Sequence, residues 1–338
     1  MNIKISELKN TLEQLAKRYV SPEEATYFAE EITESYIRKY PRSNVLKDEV
    51  LSDVKRQEKY KDNSIKIVKE LPSLIRLDFN HLPITFKIKY IHDLLIEKAK
   101  NTGISILAFD NSGGMHSLHT WAQGLAKRGY FAFGSYNGGP NGVVPFNGTQ
   151  GLFGTNPLTY GFPTEEGNVV IDMATSEIPY FEIMHSNKNN IPLKENVAVD
   201  TQGIPTTDAS KALLEDGTSN LLPMGGNYKG YAINYLMEIM TGALIGAKLS
   251  TKQDPEYVNE DHGGFLIVID INSFSDLATF KKEVSEFNNV IRSQKAVEGK
   301  KIIIPGDNNY ERLKIAESEG SVKVDESIWN QIKELLVN

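Results

Sequence analysis

From Ser73 onward the chain keeps returning to short apolar runs separated by helix-length stretches, and this alternation limits it to a mixed α/β architecture. Strands are predicted at LIRLDF (74–79), ISILAFD (104–110), YFAFGSYN (130–137), VVIDMA (169–174), FLIVIDI (265–271) and KIIIPG (301–306). Helices are predicted over about 84–100, 117–128, 276–293 and 325–336, with a long, mostly apolar one from Tyr228 to about Gly246. Ser176 can begin another helix, and residues 200–224 read as loop with one short helix. The segment 138–168 is dense in Gly, Pro and Asn and reads mostly as turns. Ahead of the alternation, residues 5–38 read as two helices. The second opens on Ser21-Pro22-Glu23-Glu24: a capping hydroxyl, Pro at the first helical position, and acids facing the helix dipole. Residues 49–71 read as a polar helix or an irregular link.

A standard doubly wound nucleotide domain does not fit this pattern. No strand is followed by G-x-G-x-x-G with an acid about 20 residues later. The 338 residues suffice for two or three packed units. With 37 basic and 44 acidic side chains the net charge is -7, so no basic stripe invites a nucleic acid. The basic residues between Lys55 and Lys69 are mixed with acids and read as a solvated helix face. The absence of cysteine excludes disulfides, thiolate nucleophiles and thiolate metal sites. No apolar run approaches ~18 residues and the first residues carry charges throughout. The expectation is a cytoplasmic protein with no membrane partner.

Several short segments place chemistry at element ends. Gly154-Thr155-Asn156-Pro157 lies in the Gly-rich stretch, where backbone N–H groups either converge on an anion or build tight turns. Asp172-Met173-Ala174-Thr175-Ser176 ends a strand: Ala174 leaves room for a flat ring or ribose, and Asp172 can accept hydrogen bonds or organise a turn. Lys229, in GGNYKG, brings a positive charge to the start of the long helix, as a phosphate site or as a plain surface lysine. Gly306-Asp307-Asn308 follows the last predicted strand.

Together with DTQGIPTTD (200–208), LPMGGNYKG (222–230) and IPGD (304–307), these segments keep the order and spacing of a known family. The chain resembles the malate/L-lactate/ureidoglycolate dehydrogenase family over nearly its whole length. The resemblance implies a non-classical NAD(P)-binding fold and a homodimer. A helix-rich α/β domain from both termini (1–72 plus 225–338) would hold a central domain (73–224) with a largely antiparallel sheet, the cofactor groove lying between them. It implies NADH or NADPH as cofactor, contacted by Asp172, Met173, Ala174, Lys229, Gly306, Asp307 and Asn308. No metal is implied.

The resemblance breaks where substrate would sit. The family's proton-donating histidine stands in N-S-x-H-x-G; here the text is Asn111-Ser112-Gly113-Gly114-Met115-His116, which puts Gly114 at the histidine position. His116 is the candidate replacement acid, and His119, three residues on, borders the same cleft. The family's S-H-G, followed by an arginine that grips the substrate carboxylate, becomes Ser43-Asn44-Val45, with Arg42 or Lys47 as the nearest cations. Glu177-Ile178-Pro179-Tyr180-Phe181 also departs from the small residues expected after DMATS. Three functions follow. The first is an NAD(P)H-dependent reductase acting on an imine, enamine, 2-oxo compound or modified peptide. The alternatives are a 2-hydroxy acid dehydrogenase with a rearranged site, and a non-catalytic cofactor-binding or scaffold protein.

Overall fold

The computed structural model describes residues 1–41, 45–113, 117–139, 142–253 and 261–337. The chain begins with β1 (Asn2–Lys4), α1 (Ile5–Ala16) and α2 (Pro22–Lys39). The start of α2 forms as the sequence predicts: the Ser21 side chain accepts from Glu24 N, and Glu24 reaches back to Ser21 N. A π-helical turn, Leu46–Leu51, runs into α3 (Ser52–Lys59). The hairpin β2 (Lys66–Leu71) and β3 (Leu74–Asp78) leads to α4 (Ile88–Thr102), β4 (Ile104–Ser112), α5 (His119–Lys127) and β5 (Tyr130–Tyr136). Then come β6 (Leu158–Pro163), β7 (Asn168–Met173), α6 (Tyr180–Asn189), α7 (Ala209–Ala212) and α8 (Tyr228–Thr241). The chain closes with β8 (His262–Asp270), α9 (Leu277–Arg292), α10 (Asp307–Glu319), β9 (Ser321–Lys323) and α11 (Glu326–Val337).

Among the described residues, seven strands form one sheet in the order β2-β3-β4-β8-β5-β6-β7. Only β3 and β4 run parallel; every other neighbouring pair is antiparallel, as expected for this fold class. The helical layer draws on both termini. Leu8, Leu12, Phe28, Ile32 and Tyr36 pack with Trp329 and Ile332, and β1 pairs with β9. A second core lies between the sheet and α4 and α5, with Trp121 against Phe109 at its centre. A third gathers Val143, Ile183, Val197 and Leu221 from the long excursion between β5 and α8. β8, assigned by sequence to the terminal unit, sits in the middle of the sheet between β4 and β5, where Phe265, Leu266 and Val268 are buried and Ile267 and Ile269 half-buried.

Three sequence expectations need correction. KIIIPG forms no strand; only Ile304 of its isoleucines is buried, and the chain turns at Gly306 into α10, which was not foreseen. Residues 66–71 form an edge strand rather than a helix or irregular link. β6 lies inside the stretch read as turns. Its Gly161 permits close packing, because a Cβ there would lie 3.0 Å from Ala122 of α5. No helix among the described residues is long and apolar enough to cross a membrane.

Candidate active site

One end of the sheet collects side chains from four strands. Ser112 at the end of β4 pairs with His262 at the start of β8, and Tyr136 at the end of β5 pairs with Gly264. Asp172, near the end of β7, stands opposite Thr159. Strand alternation puts Tyr130, Ala132 and Tyr136 on the helix-facing side, in the same core as Val170, and so directs Asp172 to that side too. The Tyr136 ring meets His262 edge-on, with centroids 5.5 Å apart.

Asp172 is held by the helices above it. Its Oδ2 accepts from Leu118 N at 2.9 Å and Ser117 Oγ at 3.3 Å, and it pairs with Lys39 Nζ from the last turn of α2. These three contacts all fall on Oδ2, so Oδ1 keeps its capacity to accept from a ligand hydroxyl. The same carboxylate sits at the start of α5, where a helix N-terminus favours negative charge. His119, in the first turn of α5, is fully buried. Burial, reinforced by Arg38, Lys39 and Lys127, pushes its pKa well below the ordinary value, so it stays neutral. His116 lies outside the described residues, as do Arg42, Ser43, Asn44 and Gly114; Lys47 is exposed.

A buried cation that sequence reasoning missed stands beside the histidine-deficient loop. Arg56, on α3, donates from Nη1 to Asp53 Oδ1 at 2.5 Å, and Thr85 donates to the other oxygen of Asp53. Its guanidinium lies against Gly113, where any Cβ would overlap it. The solvated-face reading of residues 55–69 therefore fails at Arg56, which is only 8% exposed. No local signal marks it: the neighbouring charges resemble those of an ordinary surface helix. Burial pushes the Tyr136 phenol far above its usual pKa; Asp172 and Glu49 add to this and Arg56 opposes it. Tyr136 therefore sits within reach of three charges contributed by the π-helical turn, α3 and β7.

Gly154-Thr155-Asn156-Pro157 turns inward rather than presenting an anion nest. Gly154 N donates to Ser250 Oγ, and Asn156 Nδ2 donates to Glu238 Oε2 at 2.8 Å. Thr175 N donates to Thr155 O, and Asn234 Nδ2 donates to Thr175 Oγ1. This network fixes the DMATS turn from behind. On its other side Met224 N donates to Thr175 O and Gly225 N to Glu177 Oε2, which brings the turn before α8 alongside the end of β7. Asn227 caps α8 by accepting from Lys229 N and Gly230 N, and Lys229 itself is exposed.

The predicted cofactor residues fall into two groups. Met173 is exposed and Ala174 half-buried at the β7 end, beside the turn that leads to Lys229. Gly306, at φ 95°, approaches the same strand, and a Cβ there would lie 3.2 Å from Val170 O. Asp307 is spent locally: Oδ2 accepts from Ile304 N at 2.8 Å, and Oδ1 pairs with Arg292 at 3.0 Å. Asn308 is exposed.

Comparison with known proteins gives this arrangement a context. The malate/L-lactate dehydrogenase family model matches residues 3–333. A malate/(S)-sulfolactate dehydrogenase of Methanothermus fervidus is 33% identical over 80% of this chain and 78% of its own. A Delta(1)-pyrroline-2-carboxylate/Delta(1)-piperideine-2-carboxylate reductase of Pseudomonas putida is 34% identical over 72% of this chain and 70% of its own. The solved sulfolactate dehydrogenase of Methanocaldococcus jannaschii superposes with a TM-score of 0.84 at 27% identity, covering 99% of this chain and 96% of that one. The chain belongs to the malate/L-lactate dehydrogenase family.

Proposed function

We propose that this protein is a cytoplasmic, homodimeric NAD(P)H-dependent reductase that transfers hydride to an atypical small-molecule or peptide substrate, with an imine, enamine or 2-oxo group as acceptor. The observation that carries the reading is a contrast within one site. Segments suited to a nucleotide gather at the end of β7, while the family's histidine and Ser-His positions hold Gly114 and Asn44. A substrate that lacks a free 2-oxo carboxylate has no need of the missing arginine clamp. Relatives whose names specify cyclic imine carboxylates make an imine a fitting acceptor.

The donor set fits a dinucleotide. The exposed Lys229 offers an ammonium to phosphate, Asp172 Oδ1 an acceptor to a ribose hydroxyl, and Ala174 a low-bulk surface for a flat ring. When bound, a reduced nicotinamide supplies the hydride. The chain's own residues hold it, exclude water and deliver the balancing proton.

Thermal stabilisation tests the reading, because a ligand that binds only the native state raises stability by RT ln(1 + [L]/Kd). NADPH and NADH are added separately to the purified protein. A clear rise in Tm with one of them is expected, followed by oxidation of that cofactor with a member of a panel of cyclic imines, 2-oxo acids and dehydro-amino acid peptides. No shift with either cofactor sinks the proposal. Stabilisation without turnover of any panel member favours a binding protein instead.

A further inference from the structure

Reduction of a C=N or C=O bond needs a proton at the heteroatom, and Gly114 carries none to give. The sheet end offers another source. Tyr136 is only 8% exposed, yet no described residue hydrogen-bonds its hydroxyl. Buried tyrosines normally satisfy that group. Tyr27 meets His92 Nδ1 at 2.8 Å and Tyr36 donates to Lys323 O at 3.0 Å.

Strand register sets Tyr136 at the sheet end that also carries Ser112 and Asp172. Its ring is fixed by the edge of His262, whose strand partner is Ser112, the last residue of β4 before Gly113 and Gly114. Arg56, whose guanidinium covers Gly113, and Asp172, which strand alternation directs to the same face of the sheet, both act on the phenol. Nothing in sequence spacing links Tyr136 to Gly113; the β4-β8-β5 order does.

We propose that Tyr136 is the proton donor of this site, supplying from its hydroxyl the proton that Gly114 cannot carry. The inference rests on the reductase reading above. Addition of hydride to the C=N or C=O carbon moves the π electron pair onto the nitrogen or oxygen. That atom takes the Tyr136 proton as the phenolic O–H bond breaks, and the phenolate regains a proton from water. Burial and the neighbouring carboxylates keep the phenol protonated until that moment, and Arg56 offsets part of the negative charge that then forms.

The test compares the wild-type protein with Tyr136→Phe, each assayed for stabilisation by NADPH and NADH and for reduction of the panel of cyclic imines, 2-oxo acids and dehydro-amino acid peptides. The expected result is that Tyr136→Phe binds cofactor like the wild type, with kcat reduced about 100-fold or more and KM within roughly threefold. Wild-type kcat in Tyr136→Phe overturns the assignment while leaving the reductase reading intact. A wild-type protein that binds neither cofactor, or binds one and reduces no member of the panel, overturns the reductase reading and this assignment with it.

Discussion

His92 and His119 are sealed into the layer between the helices and the sheet, and their burial makes stability depend on pH with a definite sign. His92 contacts the Tyr27 hydroxyl, and burial, aided by Arg128, lowers its pKa to about 3. His119 is shifted in the same direction. As pH falls through the unfolded-chain value near 6.5, the unfolded state takes up protons that the folded state refuses, so stability falls. For His92 the loss between about pH 7.5 and about pH 5.5 is roughly 1.4 kcal/mol. Asp53, raised to about 6 by burial, works in the opposite sense because its native carboxyl gains a proton first. Comparing wild type with His92→Gln cancels that contribution. Urea unfolding at the two pH values is expected to show a pH-dependent loss smaller by about 1.4 kcal/mol in the variant, and equal losses would refute the argument. At this scale the motifs direct attention to Asp172 and Lys229 and leave Arg56 and Tyr136 unmarked. Strand order and the packing of α3 bring the latter two to the sheet end, and neither leaves a spacing signal in the chain.

Among the elements, α8 anchors the turn at residues 154–157 and Thr175 from within. Glu238 accepts from Ser250 N at 2.6 Å, from Ser250 Oγ at 2.8 Å and from Asn156 Nδ2 at 2.8 Å, and is 4% exposed. Truncation to Ala strands these three donors, and partial relaxation brings the expected cost to about 3 kcal/mol. Equilibrium unfolding of Glu238→Ala measures it; a loss below about 1 kcal/mol would mean that water replaces the carboxylate. This network also explains which elements could be read in advance. The α8 pattern, the capped start of α2 and the apolar runs of β4 and β8 are strong because each buries a continuous face. α10 was missed because only Leu313 and Ala316 of its 13 residues are buried and its Asp-Asn-Asn start reads as a turn. β6 was missed because Gly161 and the flanking prolines look like loop chemistry, although the glycine exists to admit α5.

At the scale of the whole molecule, the described residues leave an apolar surface on α8 without cover. The inner stripe of α8, with Asn234, Met237, Glu238 and Thr241, is buried in the network just described. On its outer side Tyr228 is 62% exposed, Tyr235 49% and Leu236 50%, and Leu244 just beyond its end is 70% exposed. Phe146, 42% exposed, meets the Tyr228 ring edge-on with centroids 5.9 Å apart and extends the patch. A helix apolar on both sides is normally covered on both sides, and contiguous apolar surface of this kind marks association. In the proposed homodimer a second copy of the chain would cover it, through a self-complementary interface as two-fold symmetry requires. The patch adjoins the turn that carries Lys229, so pairing would also shield that turn. Light scattering coupled to gel filtration is expected to give twice the chain mass for the wild type. Leu236→Glu with Leu244→Glu would set two like charges in each half of a dry, symmetric contact, and monomers are expected at micromolar concentration. A wild-type protein that elutes as a monomer at such concentrations would leave this surface for another partner and remove the homodimer from the proposed assembly.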